Sequence, residues 1–172
     1  GLTFGDPVTV TGLKSAGIIL LTDTGGHWFR TNDFPQAAVN AVTGDIYVAF
    51  TDQANGSADK ANIYFTQSTD GGRKWSKPVQ INDDLTNNDQ WFPALAVTPD
   101  GSHVGLFWYD RRLDPANNLI DRFGAIGVVS GHTVTFGANF RITDESFPPA
   151  FSYWTGSGWY IQDPVIGPGY MS

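Results

Sequence analysis

Three aspartates stand at or near the ends of predicted strands, where a carboxylate could act as an acid, a base or a nucleophile. Asp52 and Asp110 each end an apolar run, and Asp59 lies in the loop that follows Asp52. Two carboxylates are the minimal machinery for hydrolysis of a glycosidic bond. These three residues are therefore candidate catalytic groups. Aspartate also caps turns at strand ends, and the sequence leaves that role open for Asp52 and Asp110.

A second set of polar and aromatic residues could hold a ligand at the same end of the predicted sheet. Adjacent strands are antiparallel, so the residue before one strand lies beside the residue that ends the next. Arginine can pair with a carboxylate through two hydrogen bonds, and loops over a rigid scaffold commonly carry binding residues. The candidate ligand-binding residues are Arg30, Asp33, Gln90, Trp91, Arg111 and Arg112. Ion pairing between neighbouring sheets is the alternative role for Arg111 and Arg112.

A run of oxygen-bearing side chains makes calcium the one cofactor to consider. Asp83, Asp84 and Asp89 are the candidate ligands, although the run lacks the spacing and the glycine of an EF-hand loop. A solvated loop between sheets is the alternative interpretation. The three histidines are isolated and the chain has no cysteine, so neither suggests a metal site.

Composition excludes several classes of function. The chain has 172 residues and a net charge of −7, which argues against nucleic acid or an anionic membrane surface as its main partner. The longest aliphatic stretch, Ile18 to Leu21, is too short for a membrane span. Gly (20) and Pro (10) interrupt the sequence so often that no long helical period survives, and we expect an all-β fold.

Internal repeats indicate how the strands are grouped. Phe34-Pro35 and Phe92-Pro93 begin similar runs 58 residues apart, and at the same offset 46–52 matches 104–110. A third Phe-Pro pair begins at Phe147. Each unit predicts four antiparallel strands in about 50 residues, which is typical of a β-propeller blade.

The repeats define the predicted organisation of a single propeller domain. Residues 1–33 contain the last strand of one blade and a linker, 34–83 and 92–144 are two full blades, and 145–172 begin another. This is about two and a half blades, whereas a closed propeller needs about four or more. We therefore expect part of a larger propeller. A compact β-sandwich is the alternative, because it has similar strand signals.

An eight-residue motif stands between the third and fourth strands of the first full unit. Residues 68–75 read Ser-Thr-Asp-Gly-Gly-Arg-Lys-Trp. This run resembles the Asp-box, or bacterial neuraminidase repeat, whose pattern is Ser/Thr-x-Asp-x-Gly-x-x-Trp. The defining positions are Ser68, Asp70, Gly72 and Trp75, and we expect them to stabilise a hairpin rather than to catalyse a reaction.

The resemblance implies membership of the sialidase-like propeller superfamily. It extends over about residues 30–145, and the runs Asn82-Asp83-Asp84 and 109–112 resemble those of secreted bacterial exo-α-sialidase-like proteins. Sialidases of this kind use an arginine triad, an Asp acid/base and a Tyr nucleophile activated by Glu. Asp59 loosely matches the acid/base. Asp33 stands where the first triad arginine is expected, and an aspartate there would repel the carboxylate of sialic acid.

The sequence thus predicts a segment of a secreted or envelope-exposed propeller that binds or processes glycans. If it is an enzyme, the resemblance implies a glycoside hydrolase. The alternative is a non-catalytic scaffold or accessory subunit that presents its surface to a protein partner. The missing triad arginine favours this alternative as far as catalysis is concerned.

Overall fold

The computed structural model describes residues 3, 5–17, 19–20, 28–29, 31, 33–53, 61–149, 151–154 and 159–162. These residues form strands, turns and loops and contain no helix, so none of them forms a helical membrane span. The strands are β1 Ile19–Leu20, β2 Trp28–Phe29, β3 Gln36–Val39, β4 Ile46–Asp52, β5 Asn62–Ser68, β6 Val79–Gln80, β7 Gln90–Val97, β8 His103–Asp110, β9 Asp121–Ser130, β10 Thr133–Phe136, β11 Phe140–Arg141, β12 Phe151–Trp154 and β13 Trp159–Gln162.

Two antiparallel sheets match the two full repeats. The first sheet has the order β3-β4-β5-β6, and the second has β7-β8-β9-β10 with β11 also paired to β9. β10 and β11 together occupy the fourth position, since residues 137–139 interrupt the pairing. The prediction of an all-β chain built from blade-like units of four antiparallel strands is confirmed.

The two sheets pack face to face around one apolar core. Tyr47, Ala49 and Phe65 of the first sheet and Leu106 and Trp108 of the second are each at most 4% exposed and belong to this cluster. Along β8 every second residue is buried, which is the pattern of a strand with one face in the core. β4 is buried on both faces, because Val48 and Phe50 pack in a second cluster with Trp75.

The strand registers define two opposite ends of the paired sheets. At the acidic end lie the pairs Asp52–Asn62 and Gln90–Asp110, and the backbone N–H of Gln90 donates to Ala61 O at 2.9 Å. The hairpin end carries the turns 40–45, 69–78, 98–102 and 131–132. Equivalent strands of the two sheets run in the same direction, so each end carries loops from both sheets.

Contacts at the hairpin end join the sheets. Asn40 Nδ2 donates to Gly101 O at 2.9 Å, and a side chain on Gly101 would overlap Asn40 Oδ1. His132 Nδ1 lies 2.9 Å from Asp45 Oδ1, a carboxylate oxygen of an almost fully buried residue. The turns are thus part of the packing between sheets.

The N-terminal segment differs from the sequence prediction. Residues 1–33 were expected to contain the last strand of a blade and a linker; none of the described residues 5–17 belongs to a strand, and β1 and β2 are the described strands of this range. The segment 5–17 instead crosses the acidic end, where Lys14 O accepts from the N–H of Gln53 at 3.0 Å. Further hairpins pair β1 with β2 and β12 with β13.

Candidate functional site

The eight-residue motif forms a closed turn at the hairpin end. Ser68 Oγ accepts from the N–H of Gly72 at 2.9 Å, and Asp70 Oδ1 accepts from the N–H of Lys74 at 2.9 Å. Trp75 Nε1 donates to Gly72 O at 3.2 Å. The hydrogen bond from the Lys74 backbone, followed by that from the Ser68 hydroxyl, lowers the pKa of Asp70. All of these groups form their hydrogen bonds within the turn, and the turn lies at the opposite end from the acidic end.

Arg112 joins the first and second sheets at the acidic end. Its Nη1 donates to Asp83 Oδ1 at 2.7 Å, while its Nη2 lies 2.7 Å from Asp110 Oδ2 and 3.7 Å from Asp84 Oδ1. Nη2 also donates to Asn139 Oδ1 at 3.0 Å. The hydrogen bonds and charges of these carboxylates outweigh burial and raise the pKa of Arg112. The guanidinium group of Arg112 therefore forms its ion pairs and hydrogen bonds within the protein.

Arg111 is buried beside Arg112 and points to a different carboxylate. Its Nη1 lies 3.4 Å from Asp89 Oδ2, and its guanidinium stacks on Trp91 with 5.1 Å between the group and the ring centre. Burial lowers the pKa of Arg111 to about 10, while Asp89 opposes this shift. Asn117 Nδ2 donates to Asp89 Oδ2 at 2.8 Å. Arg111 is 0% exposed, so it lies behind the surface of the acidic end.

A buried network of amides supports these ion pairs. Asn82 Nδ2 lies 3.0 Å from Gln90 Oε1, 2.9 Å from Asp84 Oδ1 and 2.8 Å from Asn62 Oδ1. Asn82 Oδ1 accepts from the N–H of Ile63 at 2.9 Å. Each of these groups would be costly to bury without a partner, so the network orders the loop between β6 and β7.

Two aspartates converge on the N-terminal segment at the acidic end. The N–H of Lys14 donates to Asp52 Oδ1 at 2.8 Å, and the N–H of Ala16 donates to Asp33 Oδ1 at 3.2 Å. The hydroxyl of Ser15 donates to Asp33 Oδ2. Asp33 precedes β3 and Asp52 ends β4, and both side chains are partly exposed. The segment 14–16 thus fixes two carboxylates that solvent can reach.

The aromatic candidate is part of the interior. Trp91 is 1% exposed and stacks on Tyr109 with 5.8 Å between ring centres. The next residue, Phe92, has a φ of 52°, where the pairing of β7 with β8 is irregular. Left-handed backbone is rare for a bulky residue. The rings of Phe92 and Tyr109 meet in an edge-to-face arrangement, with 6.4 Å between their centres.

The structure divides the sequence candidates into three groups. Gln90, Trp91, Asp110 and Arg111 are buried together at the acidic end, and the Arg112 side chain beside them is 10% exposed. Asp33 and Asp52 are partly exposed there. Arg30 and Asp59 lie outside the described residues. Their roles in binding or catalysis remain predictions.

The calcium candidates face arginines. Asp83 and Asp84 lie against Arg112, and Asp89 lies against Arg111. Among the residues that the structure describes, no group of three or more histidine or acidic side chains is arranged to hold a metal ion. The positive charge that these carboxylates need is supplied by guanidinium groups.

Several residues of the acidic end escaped the sequence analysis. Asn62 and the segment Lys14 to Ala16 carry no motif, and their contacts depend on distant residues. Asn82 belongs to the run Asn82-Asp83-Asp84 that carries the family resemblance, but this run did not predict the contacts of the Asn82 amide. A count of polar residues at predicted strand ends would have found Asn62.

Part of the chain is similar to a known protein. No protein-family model matches the chain. Over 95 residues the chain is 33% identical to a protein from Neosartorya fischeri described as a probable oligoxyloglucan-reducing end-specific xyloglucanase. The match covers 52% of this chain and 10% of that relative, so the chain spans about one tenth of the relative's length.

Proposed function

We propose that this chain is a segment of an extracellular, sialidase-like β-propeller that binds or hydrolyses glycans at its acidic end. The observation that carries the proposal is the convergence of Asp33 and Asp52 on the segment Lys14 to Ala16. Two partly exposed carboxylates at one end of a sheet suit the recognition of sugar hydroxyls, which need strong acceptors.

Two further observations support the proposal. The partial likeness to a protein named as a xyloglucanase makes a carbohydrate ligand the favoured class. The buried ion pairs of Arg111 and Arg112 hold the loops that follow β6 and β8 at the same end in one arrangement, and a pre-organised site binds at a lower entropic cost. For hydrolysis, Asp52 is the described candidate for one of the two carboxylates, and Asp59 is the predicted partner.

The test is a binding and hydrolysis assay with the purified protein. We expect binding of an oligosaccharide from a panel that includes oligoxyloglucan, and we expect the Asp52→Asn variant to weaken that binding roughly tenfold, since a charged acceptor is lost. Asp100→Asn is the matched control, because it removes a carboxylate at the hairpin end. Release of reducing ends would establish hydrolysis. Equal loss of binding in both variants would contradict a site at the acidic end.

A non-catalytic scaffold is a second candidate, and one observation favours it. Asp110, Arg111 and Arg112 were expected to contact a ligand, yet their charges are paired within the protein. A folded protein that neither binds nor hydrolyses any sugar of the panel would favour this second function.

A further inference from the structure

Three consecutive residues, Lys14, Ser15 and Ala16, form a strap that lies across the acidic end. The N–H of Lys14 donates to Asp52 Oδ1 at 2.8 Å, and the N–H of Ala16 donates to Asp33 Oδ1 at 3.2 Å. The hydroxyl of Ser15 donates to the other oxygen of Asp33. Three donors of the strap therefore bind the two carboxylates that we propose for glycan recognition.

The strap presents to these carboxylates the kind of donor that a sugar would bring. N–H and O–H groups donate to carboxylate oxygens in the same way as the hydroxyl groups of a glycan. Both oxygens of Asp33 accept from the strap, and so does Oδ1 of Asp52. A glycan that uses these oxygens has to compete with the strap for them.

Little buried apolar surface holds the strap in place. Lys14 and Ser15 are exposed, as is the next residue, Gly17. Ala16 alone in the strap is half-buried, and it packs against the apolar cluster that contains Trp91. A segment with few buried apolar contacts opens locally at a low free-energy cost. Displacement of the strap therefore leaves the apolar core between the sheets intact.

Polar contacts and flexible backbone also characterise the two sides of the strap. Lys14 O accepts from the N–H of Gln53 at 3.0 Å, and the hydroxyl of Thr31 donates to Gly17 O. Gly17 has a φ of 67°, and an added Cβ would meet nothing within 4 Å at Gly17 or at Gly12. Glycine backbone adopts many conformations, so these two positions can absorb a movement of the residues between them.

We infer that the strap is an autoinhibitory element, which occupies Asp33 and Asp52 in the free protein and is displaced when a glycan binds. This inference rests on the proposed function and names a regulation of the same site. A site that is open for only a fraction of the time binds its ligand more weakly by that fraction. Loss of one strap hydrogen bond therefore increases the affinity for the ligand.

The first test measures binding of oligoxyloglucan by calorimetry to the wild type and to Ser15→Ala. The variant loses the hydroxyl that binds Asp33 and keeps both carboxylates. We expect it to bind on the order of tenfold more tightly, because a hydrogen bond to a charged group is lost from the closed state. Thr11→Ala is the matched control, since the Thr11 hydroxyl donates to Gly12 O. Its affinity should stay within about twofold of the wild type.

The second test uses trypsin, which cleaves after lysine. The peptide bond between Lys14 and Ser15 lies within the strap, and both residues are exposed. We expect saturating oligoxyloglucan to accelerate this cleavage, because proteolysis follows the population of the open segment. Ser15→Ala should be cleaved faster than the wild type without any sugar. Mass spectrometry of the fragment 1–14 measures both rates.

The outcomes separate the regulation from the function. If Ser15→Ala binds the sugar no more tightly than the wild type does, or if the sugar slows cleavage after Lys14 or leaves it unchanged, the strap does not block the site. Either result overturns this inference and leaves a glycan-binding site in place. If neither the wild type nor Ser15→Ala binds oligoxyloglucan or another glycan of the panel, the proposed function is overturned, and this inference falls with it.

Discussion

Arg112 of the second sheet donates a hydrogen bond from Nη1 to Asp83 Oδ1, 2.7 Å away on the loop that follows the first sheet. The same guanidinium contacts Asp110 on its own sheet. Asp83 in turn is held by Asn139, whose N–H donates to Asp83 Oδ2 at 3.0 Å. One side chain thus couples the loop between the sheets to Asp110 at the end of β8 and to Asn139 just before β11.

Replacement of Arg112 should therefore destabilise the fold. Arg112→Met leaves the buried carboxylate of Asp110 without its main countercharge, and breaking a buried pair in this way costs about 3 kcal/mol. We expect a fall of that size in the free energy of unfolding, measured by urea denaturation. Arg73→Met on the exposed 69–74 turn is the matched control and should change stability by less than about 0.5 kcal/mol. Equal effects of the two variants would show that Arg112 does not couple the sheets.

The turn at the hairpin end depends on a glycine for its backbone. Gly72 has a φ of 87°, and a Cβ there would have its nearest contact at 3.7 Å, so space is sufficient and only the backbone is strained. Gly72→Ala should lower the free energy of unfolding by about 1 kcal/mol or more. Gly5→Ala, where nothing lies within 4 Å and φ is not left-handed, is the control. Thermal melting of both variants checks the difference; a melting temperature of Gly72→Ala at or above that of Gly5→Ala would be the contrary result.

The amide network should be sensitive to the loss of Asn82. Asn82→Ala leaves the buried N–H of Ile63 without its acceptor and removes a donor to Gln90, so we expect a loss of about 2 to 3 kcal/mol. Asn87→Ala, in the exposed part of the same loop, should be nearly neutral. Urea denaturation measures both. Hydrogen exchange of the Ile63 amide should also become faster in Asn82→Ala alone, and unchanged exchange would argue against this network.

Stability should fall in acid partly through Asp100. The hydroxyl of Thr98, together with the N–H and hydroxyl of Ser102, lowers the pKa of Asp100 to about 2. The pKa of an aspartate in an unfolded chain is about 3.9. The pKa of Asp100 is lower in the folded protein than in the unfolded chain. The ionised Asp100 therefore stabilises the fold above about pH 4, and this stabilisation is lost as the pH falls toward 2. Asp100→Asn should flatten the decline in the free energy of unfolding between these pH values. A decline as steep as that of the wild type would contradict the assignment, and an NMR titration of Asp100 measures the pKa directly.

Most of what the sequence predicted about secondary structure came from the internal repeat. The offset of 58 residues matched 46–52 to 104–110, and these runs are β4 and β8 almost residue for residue. Local chemistry explains this success, because alternating apolar residues between Gly and Asp turns favour strands wherever they occur. The two Phe-Pro pairs were treated as equivalent, yet Phe34 precedes β3 and is 70% exposed, while Phe92 lies inside β7.

The amino-acid sequence by itself determined the all-β class, the grouping of strands into units of four and the position of the turn at residues 68–75. These features depend on periodicity and turn propensity, which act over a few residues. Only the tertiary structure decided which charges remain available at the acidic end. Arg111 and Arg112 are paired with Asp89 and Asp110, while Asp33 and Asp52 stay open to solvent. Burial and ion pairing join residues far apart in the chain, so no local pattern could assign them.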